Sequence, residues 1–160
     1  MNPTGTVVVG VDGSPASRAA IEFAMREVTR RHAWLRVIAA AQLPEYWTIA
    51  YGSADLPSPE EVIADAKRAA RQTVDEVVNA HPELAAVEFA VEAIAGPPGP
   101  VLVDASAGAD LLVLGHRGRG ALRSALLGSV GLHCVLHATC PITIVRPSVV
   151  AEPPLAAAQA

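Results

Sequence analysis

The chain is most constrained by a repeated alternation: a short β-branched or aliphatic run, a loop marked by glycine or proline, then a stretch with helical periodicity. Residues 6–11 (TVVVGV) are apolar almost throughout, the pattern of a strand buried on both faces. Ser14 then caps a helix, Pro15 fits its first turn, and Ala16, Ala20, Phe23, Ala24 and Val28 make its apolar stripe. Residues 35–41 (LRVIAAA) repeat the strand, and Ser58, Pro59 and Glu61 predict a capping box for a long helix that ends near Ala80, before His81 and Pro82. In residues 87–93, Val87, Phe89, Val91 and Ala93 alternate with Glu88, Ala90 and Glu92, as in a strand with one wet face at a sheet edge. The run GPPGP at 96–100 breaks the chain before a short helix over roughly 101–107. Residues 111–114 (LLVL) form the most apolar strand, and PITIV at 141–145 the last.

Five strands alternating with four helices predict an α/β fold: a single three-layer domain, with an open parallel five-stranded sheet and helices on both faces. Strands one and four, apolar throughout, belong in the middle and strand three at an edge, which the order 3-2-1-4-5 satisfies. In that order the winding reverses between strands one and four and opens a crevice at their carboxyl ends. The loops facing it are 10–14 and 115–129.

The 160 residues suffice for one core, expected over 5–147, and the Pro- and Ala-rich stretch 148–160 is expected to be a disordered tail. With 51% hydrophobic and 18% charged residues, most of the chain is not intrinsically disordered. Aromatic residues are 4%, too few for a base-stacking platform. The net charge is -4, yet residues 111–160 hold four basic residues and one acidic. Three of those four, Arg117, Arg119 and Arg123, lie in a glycine-rich loop, which suits a small anion better than nucleic acid. The N-terminus lacks a signal-peptide pattern, no uncharged apolar run reaches the ~18 residues of a membrane span, and two cysteines are too few for a disulfide framework. These features predict a cytoplasmic protein without nucleic-acid or membrane partners.

The second loop carries the chemistry. Gly115, Gly118 and Gly120, then Gly128 with Ser129, lack the Cβ atoms that keep backbone N–H groups away from an anion. Composition extends a helix over 124–137, but Gly128 and Ser129 move its start close to Gly128, so that its N-terminus and the Ser129 hydroxyl face the same anion. Other motifs fail. Lys67 is the one lysine and lies mid-helix, so there is no P-loop; the third glycine of a dinucleotide fingerprint is missing, and Gln42 follows strand two where an acid would be needed. His133, Cys134, His137 and Cys140 lack the glutamate of a metalloprotease helix and read as a histidine pair with buried thiols, not as metal ligands. Tyr46, Trp47 and Tyr51 cluster after strand two, either over the crevice or packed on the edge helix.

The spacing Gly115-x2-Gly118-x9-Gly128-Ser129 matches the G-x2-G-x9-G-[ST] pattern of the universal stress protein family, which the chain resembles over residues 5–147, from VGVDGS at 9–14 to CPITIV at 140–145. The resemblance implies a Rossmann-like fold of the adenine nucleotide alpha hydrolase type and an ATP-binding member, with Mg2+ left open. It places Gly10 and Asp12 beside the nucleotide, with Asp12 near adenine or ribose, and Ala40 offering backbone groups to adenine. Gly115, His116, Arg117, Gly118, Arg119 and Gly120 would wrap ribose and phosphates, Gly128, Ser129 and Val130 would bind phosphate oxygens, and Gly96 would border the site. The pattern departs at His116, where many relatives carry a small polar residue. The resemblance also implies a homodimer joined through the last strand, Ile142 to Val145. The function expected is a nucleotide-dependent regulatory module in stress response, without an assigned catalytic residue. A slow ATPase and a scaffold that binds AMP or cyclic AMP are the alternatives.

Overall fold

The computed structural model describes residues 4–43, 57–117 and 127–147. Its element order is β1 (Thr6–Val11), α1 (Pro15–Arg31), β2 (Trp34–Ala41), α2 (Pro59–Ala80), a 3-10 turn (Pro82–Leu84), β3 (Phe89–Ala95), α3 (Pro98–Ala105), β4 (Leu111–Gly115), α4 (Ser129–His137) and β5 (Ile142–Val145). The sheet order is β3-β2-β1-β4-β5 and every pairing is parallel, as the burial pattern of the strands predicts.

Local chemistry sets most of the boundaries. Ser14 caps α1 by accepting the Ser17 N–H at 3.1 Å, and the helix closes at His32 in the left-handed region, whose N–H reaches the Val28 carbonyl. The capping box of α2 is present: Glu61 N–H donates to the Ser58 hydroxyl at 3.2 Å, and Ser58 N–H to the Glu61 carboxylate at 2.7 Å. Helix α3 starts earlier than its sequence suggests, at Pro98 instead of about 101. Pro98 and Pro100 fall in the first turn, where a missing N–H costs nothing. Strand β3 is displaced the other way, because Val87 N–H is spent on Leu84 in the turn that ends the 3-10 segment. Pairing then runs from Leu35 opposite Phe89 to Ala41 opposite Ala95.

Two apolar layers enclose the sheet. Val7, Val9, Val37 and Val113 face α1 and α2, where Ile21, Met25, Val74 and Val77 meet them. Val8, Ile38, Leu112 and Leu114 face Val101, Leu102 and Cys134 of α3 and α4. Burial of β1 is complete at Val7, Val8 and Val9. The expected wet face of β3 is partly covered: Arg36 holds Glu92 through two bonds, of 2.8 and 3.0 Å, and donates a third to the Ala105 carbonyl at the end of α3. The edge strand is thereby tied to the helix that leaves it.

Candidate functional site

The carboxyl ends of β1 and β4 separate around a cavity of about 880 Å³. That size lies within the range of small-molecule sites. Eight of the residues singled out in the sequence line it: Gly10 and Asp12 after β1, Ala40 in β2, Gly115 and Arg117 after β4, and Gly128, Ser129 and Val130 at the start of α4. They come from four separate segments, and the winding reversal between β1 and β4 brings them together. Gly96 and His116 are not among the residues lining it. Gly118, Arg119, Gly120 and Arg123, the aromatic loop of Tyr46, Trp47 and Tyr51, and the 148–160 tail lie outside the described residues.

At one end stands α4. Its N-cap is Gly128, in extended conformation and with no side-chain cap, so its first-turn N–H groups open toward the cavity with the positive end of the helix dipole. The start at Ser129 agrees with the boundary that Gly128 and Ser129 suggest, and not with the longer 124–137 helix of composition. Ser129 is exposed beside them. On the opposite lip, Asp12 is exposed and its carboxylate accepts the Ser14 N–H at 2.9 Å, the local bond of a turn residue. The turn role and a place in the cavity coexist.

Gly96 sits to the side in a positive-φ conformation and donates its N–H to the Ala41 carbonyl, closing the end of β2. His116 is a joint. Its N–H donates to the Val145 carbonyl at 2.9 Å and its carbonyl accepts the Gly128 N–H at 3.0 Å. Burial lowers the imidazole pKa from its ordinary value, and the neighbouring Arg117 and Arg146 charges push the same way. Cys134 is fully buried and its thiol is pushed up to about 11, chiefly by burial, which fits an inert core thiol. His133 and His137 stack with ring centroids 4.3 Å apart.

The second wall of the cavity was not legible in the sequence. Arg18, in the first turns of α1, pairs at 2.9 Å with Glu76 near the end of α2. That pair sets the later turns of α2 beside the first turns of α1. Ala66, Ala69, Ala70, Gln72, Thr73 and Glu76 of that helix line the cavity together with Ser17 and Arg18. The cap at Ser14-Pro15 was a usable signal for Ser17 and Arg18, since it sets the first turn of α1 at the switch point. The α2 residues had none, because their position depends on how one helix slides along another.

The universal stress protein family matches this chain over residues 3–146. Universal stress protein Rv1996 of Mycobacterium tuberculosis is 34% identical over 149 residues, covering 87% of this chain and 47% of its own length. A second protein of that organism, universal stress protein Rv2624c, is 31% identical over 147 residues, with 90% and 49% covered. The chain thus spans about half the length of the curated relatives it matches. Among solved structures, a universal stress protein in complex with cAMP superposes with a TM-score of 0.61 at 26% identity, covering 90% of this chain and 98% of that one. An Arabidopsis thaliana protein of the same family with AMP bound is similar in fold, with a TM-score of 0.56 at 18% identity and coverage of 94% and 96%. The parallel strand order agrees with these likenesses, and the chain belongs to the universal stress protein family.

Proposed function

We propose that this chain binds an adenine nucleotide, ATP in the first instance, in the crevice between β1 and β4, and acts as a nucleotide-dependent regulatory module in stress response. The observation that carries the reading is the convergence of Gly10, Asp12, Ala40, Gly115, Arg117, Gly128, Ser129 and Val130 on one cavity with an uncapped helix N-terminus at its end. Phosphate oxygens would meet the N–H groups and hydroxyl at Gly128, Ser129 and Val130, with Arg117 beside them. The base would lie toward Ala40, with Asp12 next to the ribose. Gly118, Arg119 and Gly120 belong to the same phosphate loop by motif, and Gly96 and His116 support the floor from outside the cavity. A cytoplasmic setting completes the reading.

The complex of a 26%-identical relative with cAMP supports a second reading, in which the preferred ligand is AMP or cyclic AMP. Mass spectrometry of the small molecules released when the purified chain is denatured, followed by calorimetric titration of ATP, AMP and cyclic AMP into the emptied protein, ranks the two. ATP bound most tightly, with slow or absent turnover, is the expected outcome. Tighter binding of cyclic AMP or AMP would replace ATP as the ligand, steady hydrolysis would favour the slow ATPase, and no heat from any nucleotide would overturn nucleotide binding.

The reading extends to a homodimer through Ile142, Thr143, Ile144 and Val145. Strand β5 pairs with β4 on one side and ends the described sheet on the other, an open edge that a second copy would cover. Leu132, Val135 and Leu136 of the preceding helix are exposed and apolar. Sedimentation at several concentrations tests this: a dimer is expected, and a monomer throughout overturns it.

A further inference from the structure

We propose that Gln72 selects the base in this crevice, its side-chain carbonyl accepting a hydrogen bond from the 6-amino group of adenine, with Glu76 and Arg18 as positioning residues. The proposal rests on the adenine-nucleotide reading above and goes beyond the glycine motif, which contains none of these three residues. On the α1 and α2 side the cavity is lined by the polar residues Ser17, Arg18, Gln72, Thr73 and Glu76, with Gln42 just after β2.

Three of them form a chain. Arg18 Nε donates to one Glu76 oxygen at 2.9 Å, and Gln72 Nε2 faces the other at 3.4 Å. A carboxylate can only accept, so the amide nitrogen of Gln72 is the end that turns toward Glu76. Among the described residues no donor meets its carbonyl oxygen, which is left for a ligand. The bond from Arg18 to the far oxygen holds the Glu76 carboxylate in place, which keeps the amide in this orientation. A purine with a 6-amino group can donate to that oxygen, whereas a 6-oxo purine would bring a second acceptor against it and leave both without a donor. The Arg18–Glu76 pair is about half exposed on both sides, and such pairs add little to stability. Substitutions at Gln72 and Glu76 therefore leave the fold in place and report on selection.

The test is calorimetric titration of ATP and of inosine triphosphate, which differs from it at the purine 6-position, into the unmodified chain, Gln72→Ala and Glu76→Ala, with circular dichroism to check folding. The unmodified chain is expected to favour ATP by about tenfold or more, the scale of one unsatisfied polar contact. Gln72→Ala is expected to lose most of that ratio through weaker ATP binding. Glu76→Ala frees the amide to turn its nitrogen outward, so inosine triphosphate is expected to bind more tightly than before, a gain that a merely structural role for Glu76 would not produce. An unchanged ratio in Gln72→Ala, with ATP still bound, overturns base selection by Gln72 and leaves the nucleotide reading standing. Failure of the unmodified chain to bind either nucleotide overturns both.

Discussion

A Cβ built on Gly115 would stand 2.7 Å from the carbonyl carbon of Ala16 and 2.8 Å from its oxygen, so this glycine is what lets the first turn of α1 lie against the end of β4. The sequence suggested anion approach as the reason for a glycine here; the packing supplies a second one. Gly10 is equally tight, at 2.8 to 3.0 Å, but its neighbours are the side-chain ends of Leu114 and Leu102, which can move. Gly115→Ala should therefore cost about 1 to 3 kcal/mol of stability and Gly10→Ala clearly less. Urea denaturation of the two variants measures this, and equal losses would contradict it. His116 yields a pH dependence. Its folded pKa lies below its ordinary value of 6.5, so the unfolded chain takes up the proton first and stability contributed by the neutral imidazole is complete above about 6.5 and lost as the pH falls below it. Unfolding followed between pH 7 and 5 should show stability falling toward acid, with a shallower slope in His116→Gln. Identical slopes would remove His116 as the cause.

Among the elements, α4 carries the clearest functional expectation. Gly128 has φ -68° and ψ 158°, a conformation open to any residue, so Gly128→Val does not strain the backbone. Its branched side chain would instead obstruct the uncapped N–H groups behind it. ATP binding should weaken about thirtyfold, roughly 2 kcal/mol, with the urea midpoint little changed. Unaltered affinity would remove the start of α4 from the phosphate site. The helix ends with side-chain caps, Ser14 and Ser58, were legible because the interactions that fix them lie within four residues. The starts of α3 and β3 were less so. Pro98 and Pro100 read as breakers in sequence but serve as a first turn, and the shift of β3 follows from where its N–H groups find partners in β2.

At the scale of the whole molecule, a ligand that binds the folded chain and not the unfolded one must stabilise it. At a hundredfold excess over its dissociation constant, ATP should add about 2.7 kcal/mol, and raise the melting temperature by roughly 5 to 10 °C for a domain of this length. Differential scanning calorimetry with and without nucleotide is the measurement, and an unmoved transition would count against the crevice as a nucleotide site.

The strand order, and with it the loops at 10–14 and 115–129 that meet in the crevice, were accessible from sequence because they depend on local apolar patterning and on the handedness of parallel crossovers, whereas Ala40 and Val130 were implied by the family resemblance. Ser58 and Glu61 needed only each other to start α2, and Val7 to Val9 needed only their own side chains to claim the centre of the sheet. The sequence by itself therefore determined which segments are strands, which are helices, and where the winding reverses. The tertiary structure alone decided where α2 docks against α1, that Arg18 meets Glu76 across 58 positions of chain, and that Arg36 ties Glu92 to the end of α3. Such contacts arise from the sliding and docking of whole elements, whose geometry depends on the packing of all their side chains together and leaves no periodic trace in any one stretch of sequence.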